Sequence, residues 1–120
     1  MSFLTATWLL PVAIALHEAE EWNILDWEQR NFVNLSDKTH TSVRTFLVFF
    51  TLLGFLCTAL VTLPNNPKIA AFLFLPFAAG ACLNALQHLF YTFYFRQYAP
   101  GVITSVVLYI PIVVYLVVSL

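Results

Sequence analysis

Two polar stretches of this chain carry side chains that could perform chemistry within an otherwise apolar sequence. His17, Glu20 and Glu21 are spaced i, i+3 and i+4, so a helix would place them on one face. Asn84 and His88 are spaced i, i+4 and would also share a helical face. Imidazoles and carboxylates on facing helices are ligand types that bind zinc, iron or manganese. The pattern therefore predicts a divalent metal site, with candidate ligands His17, Glu20, Glu21 and His88.

Three other interpretations of these residues stay open. Without a metal, a carboxyl from Glu20 or Glu21 could act as general acid or base on an apolar substrate, as in an isomerase or cyclase. A non-enzymatic binding or accessory subunit could use the same polar groups. The side chains could also hydrogen-bond between helices only to hold them together. Protease chemistry is not predicted, because the spacing does not match the H-E-x-x-H pattern.

A third polar stretch surrounds a predicted helix start near Gly101. Pro100 suits a first-turn position, and Gly101 would let backbone N–H groups approach a ligand. The positive end of the helix dipole would then face an anion or developing oxyanion beside Thr104, and a phosphate-bearing lipid headgroup would suit that corner. A simple helix start, with Thr104 bonded to its own backbone, explains the same residues without a ligand.

The composition indicates a membrane protein and excludes a soluble domain. Hydrophobic residues make up 61% of the 120 positions, charged residues make up 9%, and the mean hydropathy is +0.84. The net charge of −1 gives no basis for nucleic-acid binding. Cys57 and Cys82 lie in separate apolar runs without metal or disulfide spacing, so buried free thiols are predicted.

Four apolar segments are long enough to cross a bilayer, since about 20 residues span about 30 Å of hydrocarbon. They cover residues 3–22, 43–63, 69–95 and 102–120. The predicted fold is an all-α integral membrane protein, a four-helix transmembrane bundle forming a single domain over residues 1–120. An interfacial segment is expected between the first two spans, either as a short helix capped by Asp26 or as a solvated loop.

The distribution of basic residues predicts the orientation. Four bases (Arg30, Lys38, Arg44 and Arg96) would share one side of the membrane, and Lys68 would lie on the other. The positive-inside rule then places both termini outside and the polar site near the cytoplasmic face of the plasma membrane. Glu18 lies off the His17 stripe and is expected to contact lipid headgroups or solvent. His40 and Arg44 are expected to form a solvated helix end.

The three polar stretches resemble the signature motifs of the HXXEE family of small membrane proteins. The first motif is matched by His17, Glu20 and Glu21, the second by Asn84 and His88, and the third by Tyr98, Pro100, Gly101 and Thr104. The resemblance implies a membrane protein suspected of enzymatic activity, without an established reaction to carry over. The residues and the resemblance together predict catalytic roles for Glu20, Glu21, Asn84, Tyr98 and Thr104, and cofactor binding by Pro100 and Gly101.

The leading hypothesis is a membrane-embedded, metal-dependent enzyme that acts on a lipid or other apolar small molecule. The Glu that does not bind the metal would be the acid or base, and Asn84 would orient a ligand or substrate oxygen. Beyond the lipid bilayer, a second copy of the chain or a larger membrane protein is an expected partner.

Overall fold

Helices account for all the regular structure in the computed structural model, which describes residues 1–32 and 37–120, and no strand occurs in those two ranges. The helices are α1 (Phe3–Ala6), α2 (Leu9–Glu20), α3 (Ile24–Asn31), α4 (His40–Thr62), α5 (Pro67–Phe95), α6 (Val102–Thr104) and α7 (Ile110–Val118). A π-helical segment, Ser105–Tyr109, joins α6 to α7. α6, the π-helical segment and α7 therefore make one continuous apolar helix, Val102–Val118.

In the part of the chain that the structure describes, two helices are long and apolar enough to cross a membrane. They are α4, with 23 residues, and α5, with 29 residues. The continuous Val102–Val118 helix is apolar but shorter. The all-helical prediction is thus confirmed for the described part of the chain, and the candidate spans support a membrane protein. The arrangement with four crossings stays a prediction.

The first apolar stretch is interrupted between α1 and α2 at Thr7 and Trp8. Pro11 has no N–H with which to bond the carbonyl of Thr7 four residues earlier, so the regular helical ladder fails there. The Thr7 carbonyl instead accepts from the Leu10 N–H at 3.2 Å, and the Thr7 hydroxyl donates to the Leu4 carbonyl at 2.6 Å. Residues 3–22 therefore do not form one straight helix.

The segment after α2 forms the helix α3, and the predicted cap at Asp26 is wrong. The N-cap position belongs to Asn23, and Asp26 lies in the first turn, 3.1 Å from His40. Trp27 is 3% exposed and packs its ring against Phe32, Tyr91 and Phe95. These aromatic contacts hold α3 against the C-terminal part of α5.

The core lies between α2, α5 and the last helix. It includes Leu10, Ala13 and Ile14 from α2, Phe74, Ala78 and Ala81 from α5, and Tyr109, Val113 and Leu116 from the last helix. The alanines let the helix backbones approach closely, as small residues do in membrane bundles. This packing brings the C-terminal end of α2 beside the second half of α5 and the start of α6.

Candidate metal centre

Three buried side chains meet where α2 ends against α5, and we call them the His–Glu–His group: His17, Glu21 and His88. Glu21 Oε1 lies 2.8 Å from His17 Nε2 and 2.7 Å from His88 Nε2. One ligand atom from each residue falls within 4.8 Å of the others. His17 is 1% exposed, His88 7% and Glu21 9%. Buried side chains of these types, so close together, could hold one divalent ion.

Glu20, also predicted as a metal ligand, points away from this group. Its carboxylate accepts the Thr104 hydroxyl at 2.6 Å, the Thr104 N–H at 2.8 Å, the Tyr98 hydroxyl at 2.6 Å and the Ile103 N–H at 3.2 Å. Four donors fill the acceptor positions of a carboxylate. Within the described ranges, Glu20 is therefore a link between α2 and α6 rather than part of the metal group.

The same contacts occupy the predicted anion position at the start of α6. The backbone N–H groups of Ile103 and Thr104 are free at a helix start and favour negative charge. They bond Glu20 instead of an external phosphate. The lipid-headgroup interpretation of this corner is therefore not supported, because the chain supplies its own anion there.

Thr104 links Glu20 to His17. The His17 Nδ1 atom lies 2.8 Å from Thr104 Oγ1, whose proton is directed to Glu20 at 2.6 Å. The hydroxyl must then accept from His17, so the hydrogen-bond network assigns the proton to Nδ1. In neutral His17, Nε2 consequently carries a lone pair directed toward the centre of the His–Glu–His group. Metal-binding histidines show this arrangement, in which the second nitrogen donates to an outer partner.

His17 Nε2 is buried and has no hydrogen-bond partner within the described ranges. Glu21 Oε1 is close, at 2.8 Å, but lies outside hydrogen-bond alignment. Two electron-rich atoms at that distance repel each other unless a cation or a proton lies between them. The contact therefore indicates a position for positive charge.

Gly101 closes one side of the group. Its φ of 100° lies in the left-handed region that favours glycine. A β-carbon at this position would lie 2.6 Å from His88 Cε1, 2.8 Å from Glu21 Oε1 and 2.8 Å from His17 Cε1. Only the absence of a side chain at Gly101 lets α6 begin against these three residues, whereas its predicted role in ligand binding stays a prediction.

Asn84 lies one helical turn before His88 on α5. Its Oδ1 atom is buried and finds no hydrogen-bond partner in residues 1–32 or 37–120. The side chain lines a cavity of about 320 Å³ that also reaches Glu21 and His88. Other polar residues on the walls of this cavity are Glu28, Lys38 and Gln87. The cavity gives a polar molecule access to the His–Glu–His group.

Glu18 does not contact headgroups or solvent as predicted. It is 8% exposed and lines two cavities, one of them with Leu10 and Ile14. The signal was present in the sequence, because Leu10, Ile14 and Glu18 are spaced by four residues and share one face of α2. The apolar character of the first two positions made that face a core face.

His40 and Arg44, which begin α4, lie outside the group. His40 contacts Asp26 at 3.1 Å. The Arg44 guanidinium donates to Asn23 Oδ1 at 2.6 Å and lies 5.0 Å from the centre of the Trp22 ring. These contacts tie α4 to the segment that follows α2.

Tyr98 is half-exposed in the turn between α5 and α6. Partial burial, together with its hydrogen bond to Glu20, raises the pKa of the phenol above its usual value of about 10. It is therefore a proton donor to Glu20 throughout the physiological range.

A family defined as "Protein of unknown function with HXXEE motif" matches residues 8–116. The chain belongs to the HXXEE family. Of its motif residues, His17 and Glu21 belong to the His–Glu–His group, and Glu20 bonds Thr104 and Tyr98 beside it.

A bacterial protein is also similar to this chain. The "Uncharacterized protein YrkK" of Bacillus subtilis (strain 168) is 29% identical over 103 residues, which cover 83% of this chain and 65% of that protein. The chain thus spans slightly less than two thirds of its relative. No solved structure matches the chain. HXXEE family membership therefore brings no reaction with it, and the function must be argued from the site.

Proposed function

We propose that this HXXEE protein is a membrane-embedded, metal-dependent enzyme that acts on a lipid or other apolar small molecule. The observation that carries the proposal is the His–Glu–His group, in which buried His17 Nε2 faces Glu21 and His88 and has no hydrogen-bond partner among residues 1–32 and 37–120. A divalent ion such as zinc, iron or manganese would satisfy all three ligands. Three protein ligands would leave a position for water or substrate, as catalytic zinc sites do.

The residues around the ion would have distinct roles. Thr104 and Glu20 hold His17 in the tautomer that binds metal. Tyr98 keeps the Glu20 carboxylate in place. Asn84 offers an amide to a substrate oxygen or hydroxyl beside the ion. The ion would supply an electrophile or an activated water. This distribution makes Glu20 a positioning residue, whereas Glu21 is a ligand.

The proposal places the site in a bundle of four crossings in the plasma membrane, with both termini outside. The helices α4 and α5 support two crossings by their length and apolarity. α1 with α2, and the Val102–Val118 helix, would supply the other two. The bases on the first and third connections, including Arg30 and Arg96, support a cytoplasmic position for the site.

A second candidate function has its own observation. Ligand atoms on one zinc ion lie about 3.3 Å apart at bond lengths of about 2.0 Å. Glu21 Oε1 is nearer than that to both imidazoles, at 2.8 and 2.7 Å. The 2.7 Å distance to His88 Nε2 fits a shared proton and would support metal-free acid–base chemistry. A small outward movement of the Glu21 carboxylate would convert one arrangement into the other.

Metal analysis by mass spectrometry separates the two candidates. Detergent-purified protein is loaded with zinc, manganese or ferrous iron, and excess metal is removed. We expect close to one ion per chain, lost in His17→Ala and in His88→Ala. His40→Ala is the matched control, because His40 contacts Asp26 outside the group. Folded protein that holds no metal under any loading condition would overturn the metal-dependent function and favour acid–base chemistry.

A further inference from the structure

A second cavity, of about 190 Å³, shares the Asn84 side chain with the polar one. Its walls are mainly apolar and come from α2, α4, α5 and the π-helical segment; they include Leu10, Ile14, Phe50, Phe77 and Ala81. A cavity of about 150 Å³ can hold a benzene ring. This one therefore has room for a short length of alkyl chain.

Two hydrogen-bond acceptors interrupt the apolar wall. Glu18 is 8% exposed, and its carboxyl makes no hydrogen bond or ion pair with the residues described. Asn84 Oδ1 is also buried without a partner in the same ranges. The buried, unsatisfied Asn84 Oδ1 costs free energy, which a ligand with a hydrogen-bond donor would remove, and the mostly buried Glu18 carboxyl offers a further acceptor.

Two residues, Tyr109 and Asn84, connect the cavity to the His–Glu–His group. The Tyr109 ring forms part of its wall and packs against the His17 ring, with 4.7 Å between centroids. Asn84 lines both this cavity and the polar cavity that contains Glu21 and His88. A hydroxyl bound by Asn84 would thus lie at the junction between the alkyl pocket and the His–Glu–His group.

The mouth of the cavity faces the outside of the helix bundle. Phe50, Pro76 and Gly80 line the cavity and are also exposed. A β-carbon on Gly80 would have no atom within 4 Å, so open space lies beside this cavity-lining glycine. In a membrane the opening would face lipid, and an alkyl chain longer than the cavity could extend through it.

We propose that this cavity binds the alkyl chain of a hydroxyl-bearing hydrocarbon, which enters from the bilayer beside Gly80 and places its hydroxyl between Glu18 and Asn84. The inference extends the proposed function by naming the substrate class, a long-chain alcohol, and it rests on that function only for the chemistry that follows binding. The binding itself depends on the cavity and its two acceptors.

Photolabelling of the full chain in phosphatidylcholine vesicles tests the proposal. The probe is a ten-carbon primary alcohol with an aliphatic diazirine in its chain, and labelled residues are located by mass spectrometry. We expect labelling to concentrate on the cavity-lining parts of α5 and the π-helical segment. Competition by 1-decanol should be about tenfold stronger than competition by decyl methyl ether, which cannot donate a hydrogen bond.

Two variants of Gly80 provide the matched pair. Gly80→Leu would fill the mouth and abolish cavity labelling, whereas Gly80→Ala adds one methyl group into open space and should leave labelling unchanged. Metal content is measured on the same samples. Gly80→Leu protein that keeps its metal but loses the label would support the alcohol site independently of the metal site.

Three outcomes would overturn the alcohol site. One is uniform labelling of all lipid-facing helices, which would indicate partition into the bilayer. Another is equal competition by the alcohol and its methyl ether. The third is undiminished cavity labelling in Gly80→Leu. None of these outcomes bears on the metal content, so failure of the alcohol site and failure of the proposed metal function are distinguishable.

Discussion

Gly101 lies so close to His88 that a β-carbon added to the glycine would be 2.6 Å from Cε1 of the imidazole. The glycine also adopts a φ of 100°. Both facts make this position intolerant of any side chain. The start of α6 is therefore fitted directly onto the His–Glu–His group.

Gly101→Ala should weaken metal binding and lower Tm. A non-glycine residue in the left-handed conformation costs about 1–2 kcal/mol, and the added methyl must also displace His17, Glu21 or His88. Metal content and thermal unfolding in detergent would measure both effects. Gly80→Ala is the control, because open space surrounds that position. Equal metal content and Tm in the two variants would contradict the fit described here.

Thr104→Val should lower metal affinity by about 10–100-fold, the usual effect of losing an outer hydrogen-bond partner of a metal-binding histidine. Valine keeps the shape but removes the hydroxyl that links His17 to Glu20. Thr104→Ser keeps that hydroxyl and should bind metal almost normally. Chelator competition measures the affinities. If the Thr104→Val and Thr104→Ser variants bind metal with equal affinity, the hydrogen-bond partner that positions His17 would be Ser105 Oγ, which lies 3.5 Å from His17 Nδ1.

Tyr98→Phe should lower Tm by an amount that is independent of pH up to about pH 10. The pKa of Tyr98 is raised in the folded protein, so its contribution to stability is fully present below the unfolded value of about 10. That contribution is lost only as the pH rises toward the folded value. Paired thermal unfolding curves from neutral to strongly alkaline pH would measure the difference. If the Tm difference between wild type and Tyr98→Phe already decreases before the rising pH reaches 9, the phenol is not held by Glu20 as described.

Trp27→Ala should destabilise the protein by about 3 kcal/mol, as truncation of a large buried aromatic residue does. The indole is 3% exposed and holds α3 against α5. Trp8→Ala removes an indole that is 38% exposed and should have a much smaller effect. Denaturant unfolding in detergent compares the two variants. If Trp27→Ala loses as little stability as Trp8→Ala, the packing of α3 on α5 contributes little to the fold.

The sequence prediction names all three residues of the His–Glu–His group, together with Glu20. The i, i+4 spacing of His17 and Glu21 implies a shared helical face, and α2 presents both residues to His88 on α5. Glu20 could not be assigned by the same rule. The residues that the Glu20 side chain contacts depend on how α2 is rotated about its axis between α5 and α6. That rotation is decided by core packing around Ala13 and Ile14 rather than by the motif.

Other features lie beyond local patterns for physical reasons. The burial of Trp27 depends on α3 folding back onto α5, whereas an isolated tryptophan beside charged residues looks like an interfacial anchor. The interruption at Thr7 follows from Pro11, yet helices in membranes often continue through proline when neighbours satisfy the freed carbonyl. Tertiary contacts, which local sequence patterns do not reveal, decide whether a neighbouring group bonds the freed carbonyl.

The link between Glu20 and Thr104 also has a consequence for how the protein is made. The two residues are 84 positions apart, so the ribosome completes Glu20 long before any of its four donors exist. Until then, the acidic end of α2 has no partner from the last helix. The link between α2 and α6 therefore forms late, and a chain stopped before residue 102 would keep its two long helices but lack the contacts from Thr104 to Glu20 and His17.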